Sequence, residues 1–166
     1  MKQLYIKQKF LSLTDRFKVK DEQGNEVYYV EGSFLKIPKT FTIYDMEGHE
    51  VAVITKKVFA FLPKFIVEME GRQVITIKKE FTFFRSRYTI DAAGIEVRGN
   101  WWDMTFQVFQ HGEKIGQVSK EWFTWGDSYK VEILNEEMEQ IIIALVIAID
   151  CVKEEQSTAA AASSSV

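Results

Sequence analysis

Residues 141–149 read Ile141-Ile142-Ile143-Ala144-Leu145-Val146-Ile147-Ala148-Ile149. Every position in this stretch is apolar, so a helix formed here has no polar face. A helix of that kind must be surrounded on all sides, by protein or by lipid. Nearly all of the chain before it has the alternating pattern of β-strands, and a sheet wrapped around the helix would bury it completely.

Size and composition are those of a soluble protein with one domain. The chain has 166 residues and a formal net charge of −3, which gives no reason to expect nucleic acid as a partner. No run reaches the roughly 18 apolar residues of a membrane span, and the N-terminus lacks the apolar core of a signal peptide. The single cysteine, Cys151, excludes an internal disulfide and fits a reducing, cytoplasmic location.

A regular series of turn signals divides the chain before the helix. Runs rich in Val, Ile, Phe, Tyr and Thr are separated at intervals of 18 to 24 residues by Gly24, Gly48, Gly71, Gly94 and Gly112. Three of these glycines end an Asp-x-x-Gly motif, in which the aspartate bonds back to the backbone and the glycine accepts a positive φ. These hairpin signals predict about twelve strands in an all-β barrel or sandwich. A meander of hairpins is favoured over a propeller, because propeller blades need about 40 residues each.

The last strand is followed by a helix and then by a polar tail. Asn135 is a good N-cap, and the glutamates after it favour the positive end of the helix dipole. These signals predict a helix over about 136–152, within a single domain that covers residues 1–152. The Ser/Ala-rich segment 153–166 is expected to be a disordered tail.

Several of these elements resemble the LURP-one-related family. The resemblance is carried by Asp21-Glu22-Gln23-Gly24-Asn25 with Tyr28, Val30 and Gly32, and by Ile43-Tyr44-Asp45-Met46-Glu47-Gly48 with Ile54-Thr55-Lys56-Lys57. The apolar C-terminal helix matches as well, so the likeness covers residues 1–152 and is greatest to uncharacterised bacterial members. The resemblance implies the tubby C-terminal-like fold, a closed antiparallel barrel of about twelve strands that encloses a hydrophobic C-terminal helix. Tubby proteins bind phosphoinositide headgroups through basic side chains, but no motif here matches that site, so no residue role is carried over.

The sequence lacks the common catalytic and metal-binding motifs. It contains no His-x-x-x-His, Cys-x-x-Cys, Gly-x-Ser-x-Gly or phosphate loop. His49 and His111 each lie beside a hairpin glycine and are expected at exposed turns, and Cys151 is expected to be a buried apolar side chain. We therefore predict that the protein is not an enzyme and has no catalytic residues, metal ligands or cofactor.

Asp150 stands at the end of the apolar helix, where a carboxylate meets the negative end of the helix dipole. If this end is enclosed, the carboxylate needs a cation or several hydrogen-bond donors. The favoured interpretation is that Asp150 lies in water at the mouth of the barrel. The alternative is that it forms the polar floor of a cavity.

Tryptophans are concentrated in two segments late in the strand region. Adjacent residues of a strand point to opposite faces, so one of Trp101 and Trp102 should lie outside the barrel. Together with Trp125 they are a candidate contact patch for a ligand, a partner or a membrane interface. The alternative is that both faces are packed, one against the helix and the other under a loop.

Basic residues are concentrated in the central part of the chain. Two successive hairpins each end in a lysine pair, Lys56-Lys57 and Lys78-Lys79. If the pairs meet on one rim of the barrel, they form a candidate site for anionic ligands, since each basic residue contributes about 1 kcal/mol near an anionic membrane. The alternative is ordinary solvated charge that protects strand edges.

These observations lead to two hypotheses on function. The first is a non-catalytic binding or scaffold protein of the cytoplasm, in which the helix is purely structural. The second is a peripheral membrane protein that binds anionic phospholipid headgroups through the basic rim. Neither hypothesis includes nucleic acid, a transmembrane span or a cofactor, and a protein partner is left open.

Overall fold

A computed structural model describes residues 1–7, 17–33, 38–59, 62–81, 86–92, 94–121 and 128–164. Within these residues the chain forms twelve β-strands, a short 3₁₀ turn and one long α-helix. The strands are β1 (Lys2–Lys7), β2 (Phe17–Asp21), β3 (Glu26–Gly32), β4 (Thr40–Asp45), β5 (Glu50–Phe59), β6 (Leu62–Met69), β7 (Arg72–Phe81), β8 (Ser86–Ala92), β9 (Ile95–Asn100), β10 (Thr105–Gln110), β11 (Glu113–Glu121) and β12 (Ser128–Ile133). The 3₁₀ turn spans Glu136–Met138, and the helix, α1, spans Glu139–Ser164.

The twelve strands form one closed antiparallel barrel. Each strand pairs with its neighbours along the chain, and β1 pairs with β12 as well as with β2. The closing ladder covers all of β1, since Lys2 lies opposite Ile133 and Lys7 lies opposite Ser128. The ring of paired strands is weakest between β8 and β9, which pair only at Ala92 and Ile95. The prediction of a closed barrel with a C-terminal helix is confirmed.

The glycine turns have the geometry that the Asp-x-x-Gly motif predicts. Asp21 Oδ1 accepts hydrogen bonds from the backbone N–H groups of Gln23 and Asn25, at 3.0 and 2.8 Å. Gly24 has a φ of 85°, a conformation that glycine adopts without steric cost. The turn at Asp45 repeats this arrangement. Local hydrogen bonding thus explains why the hairpins turn where they do.

The apolar helix occupies the lumen of the barrel. Residues 142–149 of α1 are 0 % exposed, although their side chains point in every direction around the helix axis. Inward-facing residues of the strands surround them, among them Ile54 and Phe65. At Gly116 of β11 the helix is so close that an added Cβ atom would lie 3.1 Å from Cδ1 of Ile142. The helix is therefore the centre of the core and not an addition to it.

The helical region begins where the sequence predicted and ends later. The Asn135 side chain accepts a hydrogen bond from the backbone N–H of Glu137 at 3.1 Å, so Asn135 is the expected cap. At the other end α1 continues to Ser164, where the sequence analysis expected the helix to stop near 152 and a disordered tail to follow. Alanine has the highest helix propensity, which explains why the exposed segment Ala159–Ala162 continues the helix beyond the barrel.

Part of the outer surface of the barrel is buried too. Thr55, Ile66 and Thr76 lie directly beside one another in the register of β5, β6 and β7. Their side chains point away from the helix, because the adjacent residues Ile54 and Phe65 belong to the core cluster. All three are nevertheless buried. The outer face of these strands is thus partly covered.

The two ends of the barrel differ. At one end, which we call the turn end, α1 begins and the strands are joined by the turns that contain Gly24, Gly48, Gly71, Gly94 and Gly112. At the other end, which we call the exit end, residues 150–155 of α1 leave the lumen beside the C-terminal ends of β5, β7, β9 and β11. Any functional surface can therefore be assigned to an end as well as to a face.

Two leucines form a matched pair for a test of this core. We expect Leu145→Ala to lower the free energy of unfolding by about 2–5 kcal/mol, because deleting buried methyl groups leaves a cavity inside the barrel. Leu134→Ala, at a side chain that is 44 % exposed, should lower it by less than about 1 kcal/mol. Urea unfolding followed by circular dichroism measures both values. Equal losses in the two variants would contradict a helix enclosed by the strands.

Candidate functional site

The structure divides each predicted lysine pair between the two faces of the sheet. Successive side chains of a strand point to opposite faces. In β5, Lys56 shares the inward side of the core residue Ile54, and Lys57 therefore points outward. In β7, Lys79 lies two residues after the core residue Ile77 and therefore points inward, so Lys78 points outward. The four lysines thus belong to two separate groups.

The outward lysines form a row with a third lysine. Lys57 lies directly opposite Lys64 in the ladder of β5 and β6, and Lys64 lies directly opposite Lys78 in the ladder of β6 and β7. We call these three residues the lysine row. Paired strands are about 4.8 Å apart, so the backbones at these three positions lie within about 10 Å of one another. Within the described ranges none of the three has an ion-pair partner.

The inward lysines are engaged at the exit end. Lys56 Nζ lies 2.7 Å from Oε1 of Glu155, so its charge is paired with a residue of α1. Lys79 Nζ lies 5.9 Å from the centre of the Tyr88 ring, which is within cation–π range. These contacts hold the strands against the helix and the aromatic ring. Of the four predicted lysines, Lys57 and Lys78 point outward and belong to the lysine row, whereas Lys56 and Lys79 point inward.

Trp101 and Trp102 form an aromatic cluster with Tyr88 at the exit end. The ring centres are 5.5 Å apart for the two tryptophans, and Tyr88 lies 6.3 Å from Trp101 and 6.2 Å from Trp102. Trp101 packs partly buried against the core, whereas Trp102 is 37 % exposed. Both tryptophans lie in the turn between β9 and β10 and not in a strand, so the expected alternation between two faces of a strand does not apply to them. Trp125, the third predicted member, lies outside the described residues.

Asp150 is enclosed at the exit end. The favoured expectation of a solvated carboxylate is wrong, because the residue is 1 % exposed. Its Oδ1 accepts a hydrogen bond from the Tyr129 hydroxyl at 2.9 Å, and its Oδ2 has no hydrogen-bond partner among the residues that the structure describes. Burial raises the pKa of this carboxyl group to about 7, although the Tyr129 hydrogen bond and the charge of Lys153 act in the opposite direction. The group therefore changes its charge near neutral pH.

Two neighbours of Asp150 on α1, Cys151 and Lys153, are shielded from water as well. Lys153 Nζ lies 5.7 Å from the centre of the Tyr129 ring, and burial lowers the pKa of its ammonium group. Burial raises the pKa of the Cys151 thiol, so the reactive thiolate form is disfavoured. Cys151 is a buried side chain of the core, as predicted.

Glu139 is the buried carboxyl group at the turn end. Its Oε1 accepts hydrogen bonds from Lys2 Nζ at 2.8 Å and from the Tyr28 hydroxyl at 2.7 Å. Burial and the contact with Glu139 raise the pKa of Tyr28. Glu139 and Asp150 are separated by eleven residues of one helix, which is about 17 Å. The two carboxyl groups therefore cannot act on the same small substrate.

Asp45, Glu47 and His49 bring three possible metal ligands within 4.8 Å of one another at an exposed turn. His49 Nδ1 lies 3.0 Å from Oδ2 of Asp45, and this contact raises the pKa of the imidazole. The corresponding turn at Asp21 has Asn25 in the place of the histidine, with the equivalent side-chain hydrogen bond at 2.9 Å. Closure of the turn thus explains the cluster without a metal ion.

A shallow groove of about 350 Å³ lies beside the outward side chains of Arg98, Gln107 and Gln117, on β9, β10 and β11. The Arg98 guanidinium is already engaged, since it lies 2.7 Å from Glu96 and 4.2 Å from the centre of the Phe109 ring. The groove therefore offers amide groups but no uncompensated charge that would select a ligand.

The fold and these sites define a class of protein, a closed antiparallel barrel that encloses its C-terminal helix. Among the described helical residues there is no stretch long and apolar enough to cross a membrane. The chain belongs to the LURP-one-related family, whose sequence profile matches residues 2–150. The family resemblance that the hairpin motifs indicated is therefore confirmed.

Two known proteins are similar to this chain, one in sequence and one in fold. The chain is 33 % identical over 153 residues to Uncharacterized protein YxjI of Bacillus subtilis (strain 168), covering 92 % of this chain and 94 % of that protein. An X-ray structure of a protein from Arabidopsis thaliana, AT5G01750, superposes with a TM-score of 0.60 and 14 % identity over 90 % of each chain. The plant protein shows that the fold is shared and supports no conclusion about activity.

Asp150→Asn tests the state of the buried carboxyl group. Because its pKa rises from an ordinary value of 3.8 to about 7, the folded protein binds this proton more tightly than the unfolded chain. This proton contributes about 4 kcal/mol to the free energy of unfolding. The contribution is fully present below about pH 4 and is lost as the pH rises to about 7. Asparagine does not ionise. The free energy of unfolding of the variant should therefore increase by about 3 kcal/mol relative to that of the wild type as the pH rises from about 5 to about 7.

Urea unfolding of both proteins at a series of pH values measures this difference. Above about pH 8 the two curves should run parallel, because the carboxyl group is ionised in both states of the wild type. Curves that are parallel over the whole range would show that Asp150 is not protonated in the folded protein.

Proposed function

We propose that this protein is a non-catalytic binding protein that takes anionic phospholipid headgroups along the lysine row. The observation that carries the proposal is the register of three strands, which sets Lys57, Lys64 and Lys78 directly beside one another. Like charges that face each other across strands destabilise a sheet. An anionic phosphate group in contact with the row would offset this repulsion.

The lumen supports a binding role over a catalytic one. Active sites bring a nucleophile, acid–base groups and charge-stabilising groups within hydrogen-bond reach in one pocket. Here the lumen is filled by the side chains of residues 142–149. The buried carboxyl groups that the structure describes, Glu139 and Asp150, are about 17 Å apart. The surface of the barrel is therefore the better candidate for the functional part.

The shape of the lysine row supports a membrane as the source of the anion. The row lies on the outer face of the barrel next to the covered residues Thr55, Ile66 and Thr76, so it can meet headgroups from the side of the exit end but cannot enclose one small anion. Each basic residue near an anionic membrane surface contributes about 1 kcal/mol. The chain has a formal net charge of −3, so its attraction to such a surface must come from a local cluster. This function implies a cytoplasmic protein that associates reversibly with the membrane.

Replacing all three lysines of the row with glutamine tests the proposal. The wild type should sediment with vesicles of phosphatidylcholine and phosphatidylserine and stay in the supernatant with phosphatidylcholine alone. The Lys57→Gln, Lys64→Gln, Lys78→Gln variant should lose about a hundredfold in partition coefficient, since it loses three contributions of about 1 kcal/mol. Added salt should weaken the binding of the wild type, because it screens exposed charges.

The matched control removes three positive charges from other strands. Lys18 and Lys20 of β2 and Lys114 of β11 lie outside the row, so their replacement with glutamine changes the net charge equally. This control should keep most of the binding. Equal losses in the two triple variants would attribute binding to net charge, and equal recovery of the wild type with both vesicle types would reject the proposed function.

A further inference from the structure

The ring of strands has one place where backbone pairing is nearly absent. Within the described residues, Ala92 of β8 and Ile95 of β9 form the one ladder pair between these two strands. Beyond that pair, residues 88–91 of β8 and residues 96–100 of β9 do not pair with each other, although β7 and β10 pair with them on their far sides. We call the space between these two segments the seam.

Side chains, rather than a ladder, join the two strands at the exit end of the seam. The ring of Tyr88 lies 6.3 Å from that of Trp101 and 6.2 Å from that of Trp102, and both tryptophans directly follow β9. The seam is therefore bounded by ring contacts at the exit end and by the single ladder pair at the turn end. Between these two contacts, β8 and β9 can separate without losing a ladder between the described residues.

Apolar side chains that face α1 are partly exposed along the seam. Ile90 lies directly opposite Ile77 of β7, and Val97 lies directly opposite Val108 of β10. Ile77 and Val108 are fully buried, whereas Ile90 and Val97 are only partly buried. Directly opposite residues share one face of a sheet, so the difference arises from the position beside the seam. Solvent therefore reaches the margin of the apolar interior here.

β9 has a backbone edge that no described strand covers. In an antiparallel sheet, alternate residues direct their N–H and C=O groups to opposite sides of the strand. Residues 96–100 therefore present such groups toward the seam as well as toward β10. Gly99 has no side chain and is exposed, so the backbone is uncovered at this point. A strand edge of this kind is a template for the addition of another extended chain.

The charges beside the seam favour a basic residue in such a chain. Glu96 and Arg98 of β9 compensate each other, with their side chains 2.7 Å apart. Asp91 of β8 is exposed and has no ion pair among the described residues. It follows the inward-facing Ile90 and therefore points to the outer face. A lysine or arginine on the outer face of an added strand would lie beside this carboxylate.

We infer that the seam binds an extended peptide segment of a partner protein, which adds a strand along β9. The backbone of the segment pairs with residues 96–100, a length of about 17 Å. Its alternate apolar side chains cover Ile90 and Val97, and a basic side chain between them faces Asp91. This interaction is separate from the lysine row, which lies on β5, β6 and β7.

A peptide fits the seam better than a lipid chain does. A fatty acyl chain would contact Ile90 and Val97 but would offer no donor or acceptor to the backbone of β9, and burial of those groups without partners costs free energy. An extended peptide covers the apolar side chains and pairs with the backbone groups at the same time. A second copy of this chain, joined edge to edge through β9, is the competing occupant and would appear as a dimer in solution.

A phage-displayed library of random twelve-residue peptides is the probe for this inference. We expect selection on the wild type to enrich sequences that alternate apolar and polar residues, with lysine or arginine among the polar positions. Synthetic versions with proline at every second position should not bind, because proline lacks the N–H group that pairs with a strand edge. A selection that enriches no alternating sequence would overturn the inference.

Val97→Thr is the variant that tests the seam, and Val27→Thr is its control. Both changes replace one methyl group of a partly buried valine with a hydroxyl group, but Val27 belongs to β3 on the opposite side of the ring of strands. We expect Val97→Thr to raise the Kd of an enriched peptide about fivefold and Val27→Thr to change it less than about twofold. Equal effects of the two changes would contradict binding at the seam.

Hydrogen exchange followed by mass spectrometry locates the bound peptide in the wild type and does not depend on the folding of a variant. In the free protein, residues 96–100 should exchange faster than residues 64–68 of β6, which pair with strands on both sides. An enriched peptide should slow exchange in residues 88–92 and 96–100 and leave residues 64–68 unchanged. Protection confined to other strands would reject the seam as the binding site.

Two further measurements exclude other occupants and sites. The Lys57→Gln, Lys64→Gln, Lys78→Gln variant should bind the enriched peptide as the wild type does, and loss of binding would assign the peptide to the lysine row instead. Sedimentation velocity should show a monomer, and a dimer that dissociates on Val97→Thr would assign the edge to a second copy. Either of these contrary results overturns the inference without affecting the proposed function, which is tested with vesicles.

Discussion

Burial of an apolar helix on its whole circumference is the constraint on which the rest of this structure depends. A barrel of twelve strands is too wide for its own side chains to fill, and a helix without a polar face cannot remain in water. The helix therefore fills the interior of the barrel, and the barrel keeps the helix out of water. The fit is tight at Gly116, where β11 has no side chain and Ile142 occupies the space. Closure of the sheet and insertion of the helix are two aspects of one core.

A filled lumen has consequences for function. Many barrels use their interior as a ligand cavity, but here that volume belongs to α1. Under the proposed binding function, recognition uses the outer face and the two ends of the barrel, which carry the charged and aromatic side chains. The polar groups that do enter the interior stand at the ends of the buried segment, Glu139 with two donors and Asp150 with one. Burial of the Asp150 carboxyl group costs more free energy than burial of Glu139, because one Asp150 oxygen has no hydrogen-bond partner in the described part of the chain.

The features that were predictable from the sequence are those set by near neighbours in the chain. The turn at Asp21 is closed by hydrogen bonds within five residues, and the cap at Asn135 by a bond two residues along the chain. The helix α1 extends beyond the predicted end near residue 152, because the helix propensity of alanine continues it outside the core although a Ser/Ala-rich composition predicts disorder. Asp150 was expected in water because the sequence gives no measure of how far the helix is enclosed.

The amino-acid sequence by itself determined the strands, the turns and the apolar helix, because periodicity and turn chemistry are local properties. Only the tertiary structure decided the candidate site. Lys57, Lys64 and Lys78 become neighbours through strand register, and Tyr88 of β8 meets Trp102 of the turn between β9 and β10. The alternation of side chains then separates Lys56 from Lys57, although they are adjacent in sequence. The register of a strand, and the face to which each of its side chains points, depend on the strands with which it pairs. No single stretch of sequence contains that information.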